Sequence, residues 1–281
     1  MKWALSSEFE SKKVNGPRDF ARVLGAAFTA GMAFYNEWRR TAPTPAHCPS
    51  DMVDAAVQTA IFTADVELRK FEGRVIGERD EAQRTAILPR TERAVRRAIA
   101  ADPIPPEWQV ILVEQTLGEA YGWAKPDLVV YDPRGIAPVD YKLKLTIRGK
   151  SPDERRWNKD QLVADFSRSW QMYHYCWALG LENKADVTHY NIALVVLEPS
   201  FSIELLPYEI DPESLRQWET FAVATWARME QIENGEAIPV CGMDCGSRYG
   251  PCEFQKMCWD FHYDWEQAKF DYVRRKHRER T

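Results

Sequence analysis

Asp140, Lys142 and Lys144 alternate with apolar residues in GIAPVDYKLKL, residues 135–145. The alternation is that of a β-strand, so Asp140 and Lys142, two apart, project from one face. A carboxylate beside an ammonium is either a cross-strand ion pair or half of a metal site with its own cation. Two more acids belong with it: Glu114 in LVEQT and Asp127 in KPDLVV. Between the strands at 126–132 and 136–145 lies YDPRGI, with Pro133 and Gly135 placed for a tight turn, which predicts a hairpin. Asp127 near the start of one strand and Asp140 near the end of the next then reach the same end of the sheet. Carboxylates converging there make a hard oxygen site suited to Mg²⁺ or Mn²⁺. Lys142 could stabilise charge growing on a phosphoryl group or orient an attacking water.

A second group of residues suits softer chemistry. Cys241, Cys245, Cys252 and Cys258 are four of the chain's six cysteines, spaced C-x3-C-x6-C-x5-C. In a reducing compartment such clustering points to a metal centre, not to disulfides. Four thiolates hold either Zn²⁺ or a [4Fe–4S] cluster. The x6 gap does not fit the C-x3-C-x2-C of radical-SAM proteins. Such a centre would dock a last helix, DFHYDWEQAKFDYVRRK, onto the domain. His47, His174, His189, His262 and His277 lack metal-ligand spacing and read as structural or surface residues. Cys176 reads as core, and Trp157, Trp170 and Trp177 as core and rim instead of base-stacking platforms.

The elements that must position these residues follow from periodicity. Helical patterns fill the first hundred residues: PRDFARVLGAAFTAGMAFYNEWRR, DMVDAAVQTAIFTADVELRKFEG and TERAVRRAIA. Strands follow at 108–117, 126–132 and 136–145, then a helix over 159–180, then strands at 189–198 and 201–210. Asp211-Pro212-Glu213 opens a further helix with an N-cap and a proline at N1, ending near Asn234-Gly235. Helices around a β-rich centre imply an α/β layer architecture. No apolar run approaches the roughly 18 residues of a membrane span, and MKWALSSEFESKK lacks a signal peptide's apolar core. A soluble cytoplasmic protein with no membrane partner is expected. The net charge is −5, yet residues 139–160 hold seven Lys/Arg against four Asp/Glu, and residues 269–280 six against two. Local basic excesses of this kind can follow a phosphate backbone.

The order Glu114, Pro126-Asp127, Asp140-Tyr141-Lys142 resembles the PD-(D/E)XK nuclease superfamily. In particular it resembles the RecB-like exonuclease branch, which includes CRISPR-adaptation and phage nucleases active in DNA recombination and repair. That branch carries an Asp-Tyr-Lys motif on a core strand and Gln-x-x-x-Tyr on the next helix, matched by Gln171 and Tyr175, one turn apart. The resemblance implies a restriction-endonuclease-like fold with a central mixed sheet flanked by helices. It implies a helical region at 1–105, a nuclease core at 106–235 and a cysteine-cluster segment with the C-terminal helix at 236–281. It further implies DNA, as ends or single strands, for substrate. Glu114, Asp127, Asp140 and Tyr141 would form the metal set, with Lys142, Gln171 and Tyr175 as catalytic partners. YGPCEFQKMC resembles the family's Fe–S ending, which favours [4Fe–4S] over Zn²⁺. Two departures stand out. Cys48 comes too late for the family's N-terminal cysteine ligand, and the place of an early metal-binding His holds Phe28 or Thr29. The second reading is therefore a nucleic-acid-binding or complex-forming module that keeps the fold without turnover.

Overall fold

The computed structural model of the chain describes residues 9–11, 16–42, 48–71, 78–117, 124–184, 186–234 and 272–274. The elements, in order, are β1 (Phe9–Ser11), α1 (Gly16–Thr41), α2 (Ser50–Arg69), α3 (Glu78–Ala101), β2 (Gln109–Val113), β3 (Leu128–Asp132) and β4 (Gly135–Thr146). These are followed by α4 (Pro152–Phe166), α5 (Trp170–Asn183), β5 (His189–Glu198), β6 (Ser202–Glu209), α6 (Pro212–Glu233) and β7 (Tyr272–Arg274).

Five strands form one mixed sheet in the order β2-β3-β4-β5-β6. β4 and β5 are parallel and the other neighbours antiparallel. The β3–β4 hairpin closes with Asp132 opposite Gly135, whose φ of +127° is open to glycine and costly for other residues. Parallel β4 and β5 need a crossover, and α4 with α5 provides it. Every residue of β5 but its last is buried, as expected of a strand covered on both faces.

Alternation along the strands separates two cores. Val130, Ala137, Val139, Tyr141, Ala193 and Val195 pack under α1, α2 and α3. Val129, Ile192, Leu194 and Val196 pack instead with Met172, Tyr175, Cys176 and Leu179 of α5. The helical layer is close-set: a Cβ on Gly31 of α1 would meet Val95 Cγ2 at 2.9 Å and Ala60 Cβ at 3.0 Å. Its edge is tied down by Arg39, whose Nη1 donates to both Asp102 oxygens at 2.9 Å and to Ile104 O at 2.9 Å. Tyr35 adds a hydroxyl bond to Asp102 at 2.7 Å. Burial, with the Asp102 charge behind it, raises the Tyr35 hydroxyl far above its ordinary pKa.

Three expectations need correction. The helix placed at 159–180 begins earlier and is two helices, broken at Ser167–Ser169. Ser151 Oγ accepts the Glu154 amide at 3.1 Å while Glu154 Oε2 accepts the Lys150 amide at 2.7 Å, a capping arrangement just before Pro152. The helix placed at 91–100 runs from Glu78 straight through Pro89, held by packing against α1 and α2 despite the missing amide. Tyr272–Arg274, expected within the final helix, is a strand antiparallel to Phe9–Ser11; an aromatic and a β-branched residue suit that conformation. Cys241, Cys245, Cys252 and Cys258 lie outside the described residues, as do His47, His262 and His277. No helix among the described residues is long and apolar enough to cross a membrane.

Candidate active site

Position 140 on β4 decides the site. Val139 and Tyr141 face the helical layer, so Asp140 and Lys142 face α5. Asp140 is buried, and Lys142 Nζ stands 2.6 Å from its Oδ2. From α5, Gln171 closes the arrangement. Its Oε1 accepts from Lys142 at 2.7 Å, and its Nε2 donates to Asp140 Oδ1 at 3.2 Å and to the Tyr175 hydroxyl at 2.7 Å. Gln171 and Tyr175 meet because residues four apart share a helix face.

Asp127 reaches the same place from the start of β3. Its Oδ2 accepts the Tyr141 amide at 2.6 Å, at the point where β4 runs past its pairing with β3. Glu114 follows β2 in the left-handed conformation, φ +50°, where non-glycine residues are uncommon. Its amide donates to Asp127 O at 3.0 Å, and its carboxylate is ion-paired with Lys125. Burial pushes the Asp127 carboxyl well above the usual range, reinforced by the Asp140 charge and by the Glu114 carboxyl beside it. Asp140 is also raised, burial outweighing the nearby Lys142 ammonium. Tyr175 is pushed up by burial and then by Asp140.

The residue types and contacts fit a hard divalent cation. Asp140 and Glu114 both push Asp127 up, and Glu114 adds to the rise of Asp140, a repulsion that a cation would relieve. Asp140 Oδ2 is buried and accepts no hydrogen bond, its Lys142 contact lying outside bonding geometry. As they stand, however, no three His, Cys, Asp or Glu side chains among the described residues close into a metal cage. The lysines explain the difference between this and the acids' mutual influence: Lys125 and Lys142 occupy carboxylate oxygens that a cation would need. A lysine side chain swings readily, so Lys125 can leave Glu114, and Lys142 can give up the Asp140 oxygen while keeping its bond to Gln171 Oε1.

Of the residues singled out in the sequence, Glu114, Asp127, Asp140, Lys142, Gln171 and Tyr175 gather here. The Tyr141 side chain does not. It points to the opposite face, where its hydroxyl accepts from Asn36 Nδ2 at 3.2 Å and its ring meets Phe28 edge-on at 5.8 Å. Only its main chain borders the site. Of the two residues at the place of the family's histidine, Phe28 is fully buried there and Thr29 is half-buried. Lys125 went unread, although its place two residues before Asp127 was a signal. Trp177 is buried as expected, but Trp157 and Trp170 are exposed.

The family model of the PD-(D/E)XK nuclease superfamily matches residues 1–259. The chain belongs to that superfamily. Among solved structures, the chain is similar at 15% identity to that of a candidate exonuclease from Eubacterium rectale. That likeness covers 100% of this chain and 92% of the other, with a TM-score of 0.40. No curated protein matches significantly. As a member of the PD-(D/E)XK superfamily, the chain has the mixed sheet flanked by helices that its sequence implied. Membership also makes nucleic acid the class of substrate and divalent metals the usual cofactor.

Proposed function

We propose that this protein is a Mg²⁺- or Mn²⁺-dependent DNA nuclease, an exonuclease acting on ends or single strands. The observation that carries this reading is the Lys142 ammonium, held between Asp140 Oδ2 at 2.6 Å and Gln171 Oε1 at 2.7 Å. Asp127 and Asp140 would hold the metal, with Glu114 as a further ligand and the Tyr141 main chain alongside. A divalent cation there supplies Lewis acidity toward the phosphoryl oxygens. Lys142 has three N–H donors. One is engaged by Gln171 Oε1, and the charge is paired with Asp140, which leaves donors for the attacking water or a phosphoryl oxygen of the scissile group. Gln171 fixes the lysine and is itself fixed by Tyr175, so the cation is oriented before substrate arrives.

The four C-terminal cysteines are assigned, on residue type and clustering, to one structural centre separate from the hydrolysis, and the resemblance to the family's Fe–S ending favours [4Fe–4S] over Zn²⁺. A visible spectrum and elemental analysis after anaerobic purification distinguish about four irons from a single zinc. Four freely alkylated thiols in the native protein would refute both.

The absence of the family's histidine, with Phe28 or Thr29 in its place, favours a second reading: a nucleic-acid-binding module without turnover. Degradation of labelled DNA with and without Mn²⁺, in wild type and Lys142→Ala, separates the two. The nuclease reading expects Mn²⁺-dependent cleavage that Lys142→Ala removes; binding without cleavage by the wild type selects the module.

A further inference from the structure

On α5 and α6, the exposed rings of Trp170 and Phe221 lie outside both cores and rest on Trp218, which packs against the α5-side core. Trp170 is 58% exposed and Phe221 56%. The Trp170 ring lies 5.2 Å from Trp218 and 5.9 Å from Phe221, nearly parallel to the latter at 28°. Trp218 and Phe221 are themselves 5.6 Å apart. Single exposed aromatics are ordinary, but a contiguous set of rings supporting one another marks a surface that meets something. Its place in the fold indicates what. Trp170 directly precedes Gln171, the residue that touches Asp140 and Lys142, so their Cα atoms are about 3.8 Å apart. Trp170 and Gln171 share the first turn of α5, so a strand whose phosphate lies at Lys142 runs past the helix end that carries Trp170. Arg168 is exposed two residues earlier and the first turn of α5 has no acid, while Asp165 and Glu219 are also exposed in these segments, so the rings, not net charge, carry the contact.

We propose that Trp170, backed by Trp218 and flanked by Phe221, is a stacking platform for an unpaired base of the strand bound at Lys142 and Gln171. The inference rests on the nuclease reading for the position of the phosphate and adds the substrate class. Paired bases hide their faces within the duplex, so a platform of this kind selects strands that are single beside the bond to be cut. Stacking on one ring tolerates any base and acts through affinity.

Fluorescence anisotropy in EDTA, where no cleavage occurs, tests the platform with a labelled single-stranded oligonucleotide, the same strand carrying abasic sites, and a blunt duplex. Trp170→Ala is expected to weaken single-strand binding about tenfold, and Trp170→Phe to keep most of it. Phe62→Ala, on the distant helix α2, leaves it unchanged. Abasic sites should cost wild type a similar factor and erase its advantage over Trp170→Ala, while duplex affinity stays the same in both. If Trp170→Ala does not fold, the wild-type comparison of normal with abasic strand and the Trp170→Phe protein still decide. Equal affinity for normal and abasic strands overturns the platform and leaves the rings a packing feature or a protein contact. So does an equal loss on blunt duplex. Mn²⁺-dependent cleavage by the same wild type is read separately. Cleavage with no base-dependent affinity refutes the platform alone, whereas base-dependent binding with no cleavage refutes the nuclease and leaves the platform standing.

Discussion

The two faces of the central sheet are built from the same strands and behave as different materials. On the face under α1–α3, β4 contributes Ala137, Val139 and Tyr141 to a close-packed apolar layer. Its principal buried charge, Arg39, is held by Asp102 and two main-chain carbonyls. On the face under α5, the same strand contributes Asp140 and Lys142. There burial and neighbouring acids raise Asp127 and Asp140, one buried oxygen lacks a hydrogen bond, and Glu114 sits in a disfavoured backbone conformation. One face is optimised locally; the other holds conflicts that only a cation and a substrate would resolve.

The comparison breaks if substitutions on the two faces have the same consequences. The largest effect is expected at the acid face. Lys142→Ala or Asp140→Ala should slow cleavage by about 10²–10⁴, with a denaturant midpoint no lower than wild type. Arg39→Ala should do the reverse. It should lower folding stability by about 3–5 kcal/mol, since it strands a carboxylate in a nearly buried pair, and leave the rate per folded molecule unchanged. Gly31→Ala, in the narrow gap between α1 and α3, should cost about 1–3 kcal/mol by overpacking, read by chemical denaturation. A rate loss in Arg39→Ala larger than its unfolded fraction would mean that the faces are coupled.

A weaker effect sharpens the same contrast through pH. At the hairpin end of the sheet, remote from the acids, His189 Nε2 lies 3.0 Å from both Asp132 oxygens. Burial lowers the His189 pKa, more than Asp132 raises it. Burial would raise Asp132, but the Arg134 amide and the His189 and Arg134 side chains outweigh it and hold it low. Both groups have folded pKa values below their unfolded ones, so both bind protons more readily when unfolded. Their stabilisation is present above the unfolded values, about 6.5 for His and 3.9 for Asp, and is lost as pH falls through the folded ones. Thermal unfolding at graded pH should show stability declining below about pH 6.5, and His189→Gln should flatten the first part of that decline. The smallest effect is at Glu114. Asparagine tolerates the left-handed conformation, so Glu114→Asn should alter the unfolding temperature little while reducing the metal-dependent rate.

Much of the acid site was legible because it depends on two short periods. Strand alternation puts Asp140 with Lys142, a tight turn brings Asp127 to them, and one helical turn joins Gln171 to Tyr175. What escaped depends on tertiary context. Pro89 reads as a helix boundary, yet packing on both sides carries α3 through it. The break at Ser167–Ser169 hides inside a continuous apolar pattern, although Ser-Pro-Asp-Glu at 151–154 announced the earlier helix start. The exposure of Trp170 depends on where α6 lies, and no local pattern records that. Strand β7 pairs with residues more than 260 positions away, a distance over which composition says nothing.

The central claim is that the acids on the α5 face form a metal-dependent cleavage site, and Asp127→Asn tests it most directly. Asparagine keeps the shape and the oxygen that accepts the Tyr141 amide, and removes only the charge. Cleavage of labelled DNA and thermal unfolding would be followed together, with and without Mn²⁺. In wild type, Mn²⁺ should raise the unfolding temperature and start cleavage. In Asp127→Asn it should do neither. The metal-free variant should unfold at or above the wild-type temperature, because the charge that burial and Asp140 disfavour is gone. An Asp127→Asn protein that cleaves DNA in Mn²⁺ at the wild-type rate would contradict the account.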